Sequence, residues 1–204
     1  PVVGVMLMLV VTIIIAAVVS AFSGGLVETS QKAPSATVEI HVKNGGDNET
    51  SYFSMKVLGV SEPIHTKDLK LVTSWVAKYE NGTAVSGGST CLAGLGSATK
   101  GDDTLSSYSV PTGYGAGVDA WAAGNSHPAG AQWGNFTWLP GTAMTDMPSE
   151  DYSGYSYSEN GKDAMQAILG NQWNNLRPGD TVNVRVFYAS SGKVVVDRKV
   201  SVEG

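Results

Sequence analysis

Apolar and polar positions divide this chain into two unequal parts. The first 27 residues, PVVGVMLMLVVTIIIAAVVSAFSGGLV, contain no charged side chain, and the first charge is Glu28. A helix from Pro1 to Phe22 would span roughly 33 Å at about 1.5 Å per residue, close to the thickness of a bilayer's hydrocarbon core. Many of these residues are β-branched and would favour a strand in water, but in an apolar medium the backbone must satisfy its own hydrogen bonds. The pattern therefore predicts an N-terminal hydrophobic α-helix over residues 1–27.

Small residues recur at every fourth position of this helix and form two adjoining rows on one side. The rows are Ala17, Ala21 and Gly25, and Thr12, Ala16, Ser20 and Gly24. Such rows let helix backbones approach closely in an apolar medium, so we expect these residues, with Gly4, to pack against other helices. The alternative is that Ala and Ser are simply common in membrane helices. Gly24 and Gly25 also predict a flexible break at the end of the helix.

A polar segment follows the helix and predicts a linker over residues 28–35, because Pro34 disfavours helical backbone at Ala33. Residues 36–204 are predicted to form one β-rich head. Its first strands are expected in ATVEIHVK, YFSMKVLGV and LKLVTSWV, which show the alternation of half-buried strands. In the first of these strands the inward positions are Val38, Ile40 and Val42. In the third they are Leu69, Leu71, Thr73 and Trp75.

The middle of the head, from about Asn81 to Gly161, is rich in glycine and aromatic residues. We expect long loops and short strands here, with AQWGNFTW (residues 131–138) as the one clear strand. The aromatic side chains are candidates for contacts with other heads or with a ligand, and they are equally well explained as the core of the head. Beyond this region, GKDAMQAILGNQW places apolar residues at helical spacing and predicts a short helix.

The last part of the chain gives the clearest β pattern. The segments DTVNVRVFY and KVVVDRKVSV alternate and predict a closing hairpin. The inward positions of its two strands are Val182, Val184, Val186 and Tyr188, and Val194, Val196, Val200 and Val202. The predicted fold class is therefore α+β: one long N-terminal hydrophobic α-helix followed by a mainly antiparallel β-sandwich or roll of immunoglobulin-like size.

Charge and cysteine content narrow the possible functions. The formal net charge is -5, with 18 acidic and 13 basic side chains, and no basic run is present. An acidic head repels phosphate backbones, so we expect no nucleic-acid partner. Cys91 is the single cysteine, which rules out a disulfide within one chain. We expect it to be a small buried apolar residue rather than a reactive thiol.

No pattern in the sequence indicates catalysis or a bound cofactor. His41, His65 and His127 lack the spacing of metal ligands. Acidic residues that could meet a calcium ion are better explained as solvated loop charges; they are Asp102, Asp103, Asp146, Glu150 and Asp151. Neither a nucleophile elbow nor a phosphate-binding loop is present. We therefore predict no catalytic, cofactor-binding or metal-binding residue, and a protein that is not an enzyme.

Three Asn-x-Thr sequons predict N-glycosylation of the head. They begin at Asn48, Asn81 and Asn135, and none has proline in the middle position. Because Asn and Thr are abundant here, coincidence is the alternative. Two of the three fall in predicted turns, where a glycan would cover exposed surface.

Three segments resemble archaeal type IV pilins. PVVGVMLMLVVTIIIAAVVSAF is similar to the family's N-terminal segment, which starts Pro-Val-(Val/Ile)-Gly. VEIHVKNGGDNETSYFSMKV with KDLKLV resembles the family's first strands, and LRPGDTVNVRVFYASSGKVVVDRKVSV resembles its closing hairpin. Bacterial type IV pilins carry a Glu early in the helix, whereas this chain has Val5, which favours the archaeal type.

The resemblance implies a structural subunit of an extracellular, adhesive and commonly glycosylated archaeal filament, with the N-terminal helices bundled in its core. It also implies a precursor held in the lipid of the plasma membrane, a prepilin peptidase that acts at or upstream of Pro1, and an assembly ATPase with a membrane platform. The main alternative is a single-pass membrane-anchored extracellular binding module that stays monomeric. An archaellum subunit and a surface-anchored hydrolase are weaker alternatives.

Overall fold

The structure, a computed structural model, describes residues 2–28, 33–46, 50–79, 81–93, 97–99, 107–119, 129–146 and 164–204. The chain forms two compact units, Pro1–Ala33 and Pro34–Gly204. The first contains the N-terminal helix and the second contains the β-rich head.

The first unit is one long helix, α1 (Val2–Glu28), as the apolar run predicts. The helix continues through Gly24 and Gly25, so the predicted break at these glycines is wrong. Glycine in a helix interior costs only about 1 kcal/mol relative to alanine, and the helical hydrogen bonds persist through both residues. Of the predicted linker, Glu28 ends the helix and residues 29–32 lie outside the described part.

The second unit consists mainly of short and medium-length strands. They are β1 (Ala36–Lys43), β2 (Tyr52–Val60), β3 (Ile64–His65), β4 (Leu69–Lys78), β5 (Ala84–Cys91), β6 (Ser97–Thr99), β7 (Ser107–Ser109), β8 (Thr112–Gly115), β9 (Thr137–Trp138), β10 (Thr142–Thr145), β11 (Thr181–Tyr188) and β12 (Val194–Glu203). A short helix, α2 (Ala164–Leu169), precedes the last two strands, where the helical spacing predicts it.

Eight of these strands form one curled sheet in the order β5-β4-β11-β12-β1-β2-β10-β8. Every neighbouring pair is antiparallel except β1 and β12, which run parallel and are in register at Val42 and Val202. This parallel contact joins the first strands to the closing hairpin in a continuous sheet. The predicted α+β class with a mainly antiparallel head is confirmed.

The core of the head lies between the inner face of the sheet and α2. The alternation predicted for β4 is confirmed, because Leu69, Leu71, Thr73 and Trp75 are all buried. Five of the six residues of α2 are buried, and this helix packs mainly against β5. Cys91, at the end of β5, is buried, as expected for a small apolar residue, and its thiol donates to the carbonyl oxygen of Ala167 at 3.5 Å.

The closing hairpin departs from strict alternation at one position. Val186 pairs with Val196 and Phe187 pairs with Val194, so Val195 is the extra residue of a β-bulge. Val195 and Val196 are consequently both buried, while Val194 is 50% exposed. The prediction that Val194 faces the core is wrong, because the bulge shifts the alternation by one residue.

Residues 131–138 do not form the predicted strand. Ala131 ends a 3-10 turn, and only Thr137 and Trp138 are extended, as β9. Gly134 breaks the strand because its φ of 105° lies in the left-handed region. Trp133 and Trp138 are buried with ring centroids 6.1 Å apart and nearly perpendicular planes. These two tryptophans therefore belong to the core of the head.

Candidate functional site

The sides of α1 form an extended apolar surface, unlike the described surface of the head. Every side chain from Val2 to Ser20 is exposed, and the large apolar ones have exposed fractions between 47% and 75%. Over the same residues the mean hydropathy is 3.2, and this is the helix in the described part that is long and apolar enough to cross a membrane.

The size of this apolar surface decides whether water can be its environment. Burying a Val, Leu, Ile or Met side chain contributes about 1.5–3 kcal/mol, and fourteen such side chains are exposed on α1. Together they outweigh the 5–15 kcal/mol that typically separates a folded domain from its unfolded state. The surface of α1 therefore requires an apolar covering, either lipid or other helices.

The residues predicted to pack between helices all lie on α1. Among those whose surroundings the structure describes, Thr12, Ala16, Ala17 and Ser20 are exposed, and the Cβ position of Gly4 is open. Ala21, Gly24 and Gly25 also have helical backbone. The four-residue spacing places each row along one side of the helix. Whether they contact neighbouring helices stays a prediction.

The one hydroxyl near the middle of the helix is satisfied internally. The Thr12 hydroxyl oxygen lies 2.6 Å from the carbonyl oxygen of Met8, to which it donates, and 3.1 Å from that of Leu9. Serine and threonine hydroxyls commonly make this bond to the preceding helical turn. Thr12 can therefore lie in an apolar medium without an external partner.

The head offers no cluster of metal ligands within its described residues. His65 Nδ1 is 2.9 Å from the hydroxyl oxygen of Thr137, and His127 lies outside the described residues. The buried carboxylate of Asp146 accepts a hydrogen bond from the backbone N–H of Phe53 at 3.0 Å, which anchors the end of β10 to β2. The other acidic candidates, Asp102, Asp103, Glu150 and Asp151, also lie outside the described part.

The remaining histidine, His41, bridges two carboxylates on neighbouring strands. Its Nδ1 is 2.8 Å from Glu203, and its Nε2 is 3.4 Å from Glu39. The hydrogen bond to Glu203 is the main reason that the pKa of His41 lies above its ordinary value of 6.5, and Glu39 raises the pKa further while desolvation opposes the shift. The local sequence around His41 carries no signal for Glu203, which is distant along the chain and lies near His41 only because β1 pairs with β12.

Two of the three sequons lie within the described residues. Asn81 is exposed in the turn between β4 and β5, and Asn135 is exposed before β9. Asn48 lies outside the described residues. The two sequons within the described residues differ in their hydrogen bonds. Glycosylation at any of the three stays a prediction.

A groove of about 460 Å³ lies beside β5 and has no counterpart in the sequence analysis. Its lining is uncharged and consists of Ser86, Gly87, Gly88, Ser89, Gln166, Gly170, Asn171 and Gln172. Two of its side chains are oriented by hydrogen bonds: the Gln166 amide donates to Asn171 at 2.6 Å, and the Tyr79 hydroxyl donates to Gln172 at 3.2 Å. Serines and amides of this kind carry no local sequence signal, because distant segments bring them together.

Residues 1–38 match the family model described as Archaeal Type IV pilin, N-terminal. The match confirms the resemblance of the N-terminal segment and ends inside β1. That family is one of structural subunits rather than enzymes. No curated protein and no solved structure matches the chain. The resemblance of the first strands and of the closing hairpin to pilins stays a prediction.

Proposed function

Because residues 1–38 match the N-terminal family model of archaeal type IV pilins, we propose that this chain is the subunit of an extracellular adhesive filament that polymerises through α1. The observation that carries the proposal is the exposure of α1 on every side, from Val2 to Ser20, without a charged residue. A lone anchor needs apolar side chains but no rows of small residues. The filament accounts for both features.

The proposed assembly exchanges one apolar environment for another. In the precursor, α1 lies in the plasma membrane and lipid tails cover it. In the filament, the helices of neighbouring subunits replace the lipid. Because lipid tails are as apolar as leucine, this exchange gains little from the hydrophobic effect, and close packing between helices has to drive it. The rows that contain Ala17 and Ser20 let backbones approach and provide that packing.

We propose the other partners on the same ground, the match of residues 1–38 to the pilin N-terminal model. A prepilin peptidase would process the precursor, and an assembly ATPase with its membrane platform would extract it from the bilayer. The head would remain outside, where its net acidic charge favours solubility. We propose that the head supplies the adhesive surface, with the uncharged groove beside β5 as one surface open to contact.

The alternative is a monomeric, membrane-anchored binding module. The length and hydropathy of α1 over Val2–Ser20 suit a single membrane span as well as a filament core. The groove beside β5 would then be the binding surface of an isolated head. This alternative needs no contact between the helices of different chains, so changes to the rows of small residues separate the two functions.

The experiment is the double substitution Ala17→Leu with Ala21→Leu in the native host. Leucine keeps the helix apolar but fills the space that close packing requires. The matched control is Ile15→Leu with Val19→Leu, which has the same spacing and lies roughly 200° around the helix at 100° per residue. Fibres sheared from cells are counted by negative-stain electron microscopy, and mass spectrometry identifies this chain in them.

We expect wild type and the control to give fibres that contain this chain, and the Ala17→Leu/Ala21→Leu variant to give none while the chain stays in the membrane fraction. Unchanged fibres in that variant would show that the small residues do not drive packing. Absence of the chain from wild-type fibres, with the protein found only in detergent extracts of membranes, would favour the anchored binding module.

A further inference from the structure

We propose that Asn81 is an N-glycosylation site of the folded head and that Asn135 is not, although both are Asn-x-Thr sequons on the surface. In the reaction the Nδ2 atom of Asn81 forms a bond to the anomeric carbon of a glycan carried on a lipid phosphate. The bond from that carbon to the phosphate oxygen breaks, the lipid phosphate leaves, and a base takes a proton from Nδ2. The co-reactant is therefore a lipid-linked glycan phosphate.

The turn between β4 and β5 presents Asn81 with its acceptor nitrogen available. The side-chain oxygen Oδ1 accepts a hydrogen bond from the backbone N–H of Thr83 at 2.9 Å, which draws the first and third residues of the sequon together. Within the described residues, neither Nδ2 of Asn81 nor the Thr83 hydroxyl has a hydrogen-bond partner. Between them, Gly82 has open space around its Cβ position, so an enzyme can approach the turn.

The backbone of this turn is held in place by the strands. Tyr79 N–H donates to the carbonyl oxygen of Thr83, and Gly82 N–H donates to that of Tyr79, both at 2.9 Å. Gly82 has a φ of 82°, a left-handed conformation that glycine adopts without strain. The sequon therefore lies on a hairpin turn, and the glycan-transferring enzyme can bind it without unfolding of the head.

At Asn135 both chemical groups of the sequon are already engaged. The Nδ2 atom that would attack the glycan donates to the carbonyl oxygen of Ala129 at 2.7 Å. The hydroxyl of Thr137 lies 2.9 Å from His65 Nδ1, and Thr137 N–H donates to the carbonyl oxygen of Gly117 at 3.1 Å. Thr137 also belongs to β9, which pairs with His65 and Ile64 in β3.

At least two hydrogen bonds therefore have to break before the glycan-transferring enzyme can bind the sequon at Asn135. At typical net strengths of protein hydrogen bonds, this lowers the reactive fraction of Asn135 by about tenfold or more relative to Asn81. Exposure does not separate the two sites, because both asparagines are exposed. The hydrogen-bond network makes the distinction.

The position of Asn81 also gives a glycan there a physical role. The turn leads directly into β5, an edge strand of the eight-stranded sheet within the described part of the head. Unpaired backbone groups on an edge strand are a template for pairing with another chain. A bulky, hydrated glycan at the start of β5 would hinder such pairing between heads that lie close together.

Mass spectrometry of the full chain from its native host tests the proposal. Trypsin separates the three sequons, because cleavage after lysine places Asn48 in residues 44–56, Asn81 in residues 79–100 and Asn135 in residues 101–162. We expect glycan mass on the peptide 79–100, with an occupied fraction at least tenfold higher than on 101–162. Equal or higher occupancy at Asn135, or no glycan on 79–100, would overturn the proposal.

Matched variants and unfolded peptides test the cause. Thr83→Ala should remove the glycan from Asn81, whereas Thr137→Ala should leave the total glycan mass of the chain unchanged. Synthetic peptides of residues 78–86 and 132–140, incubated with host membranes and their lipid-linked glycans, should be modified to similar extents because neither is folded. If the peptide of residues 132–140 is not glycosylated, the fold is not the reason that Asn135 stays unmodified, and the proposal fails. The proposal requires only that the head be exported, so the fibre counts test the filament independently.

Discussion

The indole N–H of Trp75 donates a hydrogen bond to the carbonyl oxygen of Leu169 at 2.8 Å, and both residues are buried. Leu169 ends α2, and the carbonyl groups in the last turn of a helix have no partner within the helix. Thr73, two residues earlier on the same face of β4, donates in the same way to Ile168. A helix of six residues is not stable alone, so these two side chains and the buried contacts of α2 hold it in place.

Replacing Thr73 with valine tests this attachment. The Thr73 hydroxyl donates to the carbonyl oxygen of Ile168 and accepts from the backbone N–H of Ser89. Valine has nearly the same shape but no hydroxyl, so the Ile168 carbonyl and the Ser89 N–H each lose this hydrogen bond. We expect the free energy of unfolding to fall by about 1–3 kcal/mol, because buried polar groups are then unsatisfied. Urea unfolding of the full chain in detergent, followed by tryptophan fluorescence, measures the change.

The control for that measurement is Ser74→Ala, the neighbouring exposed position on the opposite face of β4. It should change the free energy of unfolding by no more than about 0.5 kcal/mol. A Thr73→Val variant as stable as wild type would mean that the hydrogen bond to α2 contributes nothing net.

A second prediction concerns the close approach of Gly170 to Gly88. Gly170 has a φ of 86°, and a Cβ atom at this position would lie 2.2 Å from the carbonyl oxygen of Gly88. Gly170→Ala therefore combines a strained backbone with a collision against a strand backbone. We expect a loss of at least about 2 kcal/mol in the free energy of unfolding. The same urea titration measures it.

Gly59→Ala is the matched control, since Gly59 lies in β2, has no positive φ and has open space at its Cβ position. It should be neutral or slightly stabilising, because alanine reduces the freedom of the unfolded chain. Equal effects of the two substitutions would contradict the role of the Gly170–Gly88 contact.

The protonation of His41 gives a prediction about pH. The hydrogen bond to Glu203 raises the pKa of His41, with a smaller contribution from Glu39. The folded state therefore binds this proton more tightly than the unfolded state. The resulting stabilisation is fully present below the unfolded pKa of about 6.5 and is lost as the pH rises through the higher folded pKa. Because the His41 side chain is 44% exposed, solvent screening keeps the effect on stability small.

The pKa itself is the sharper readout. NMR titration of the histidine ring signals in the detergent-solubilised chain should give a value above 6.5 for the signal that disappears in His41→Gln. Glu203→Gln should lower this pKa, and Glu39→Gln should lower it less, since the contact with Glu39 is longer, at 3.4 Å against 2.8 Å. If Glu39→Gln lowers the pKa more than Glu203→Gln does, Glu203 is not the main cause of the raised pKa of His41.

The sequence predicts those helices and strands whose apolar spacing is local to the segment itself. The apolar run predicts α1, the alternation of β4 predicts its buried face, and the helical spacing around Met165 predicts α2. The bulge at Val195 has no signal in the local sequence, because it arises from the pairing of β12 with β11. The groove beside β5 has no local signal for a similar reason, since residues 86–89 meet residues 166–172 only in the fold.

The last prediction separates membrane insertion from filament assembly within α1. Besides Val11, eleven exposed Val, Leu and Ile side chains between Val2 and Val19 each favour insertion by about 0.3–0.6 kcal/mol, whereas one lysine near the middle of a span costs about 2.5–3.5 kcal/mol. Val11→Lys should therefore remain in the membrane fraction. In a bundle the lysine would be buried among apolar helices, so we expect few or no fibres by electron microscopy. Thr12→Val should keep both membrane insertion and fibre formation, because the Thr12 hydroxyl already bonds within its own helix. Loss of fibres in Thr12→Val would instead mean that this hydroxyl bonds to a neighbouring subunit.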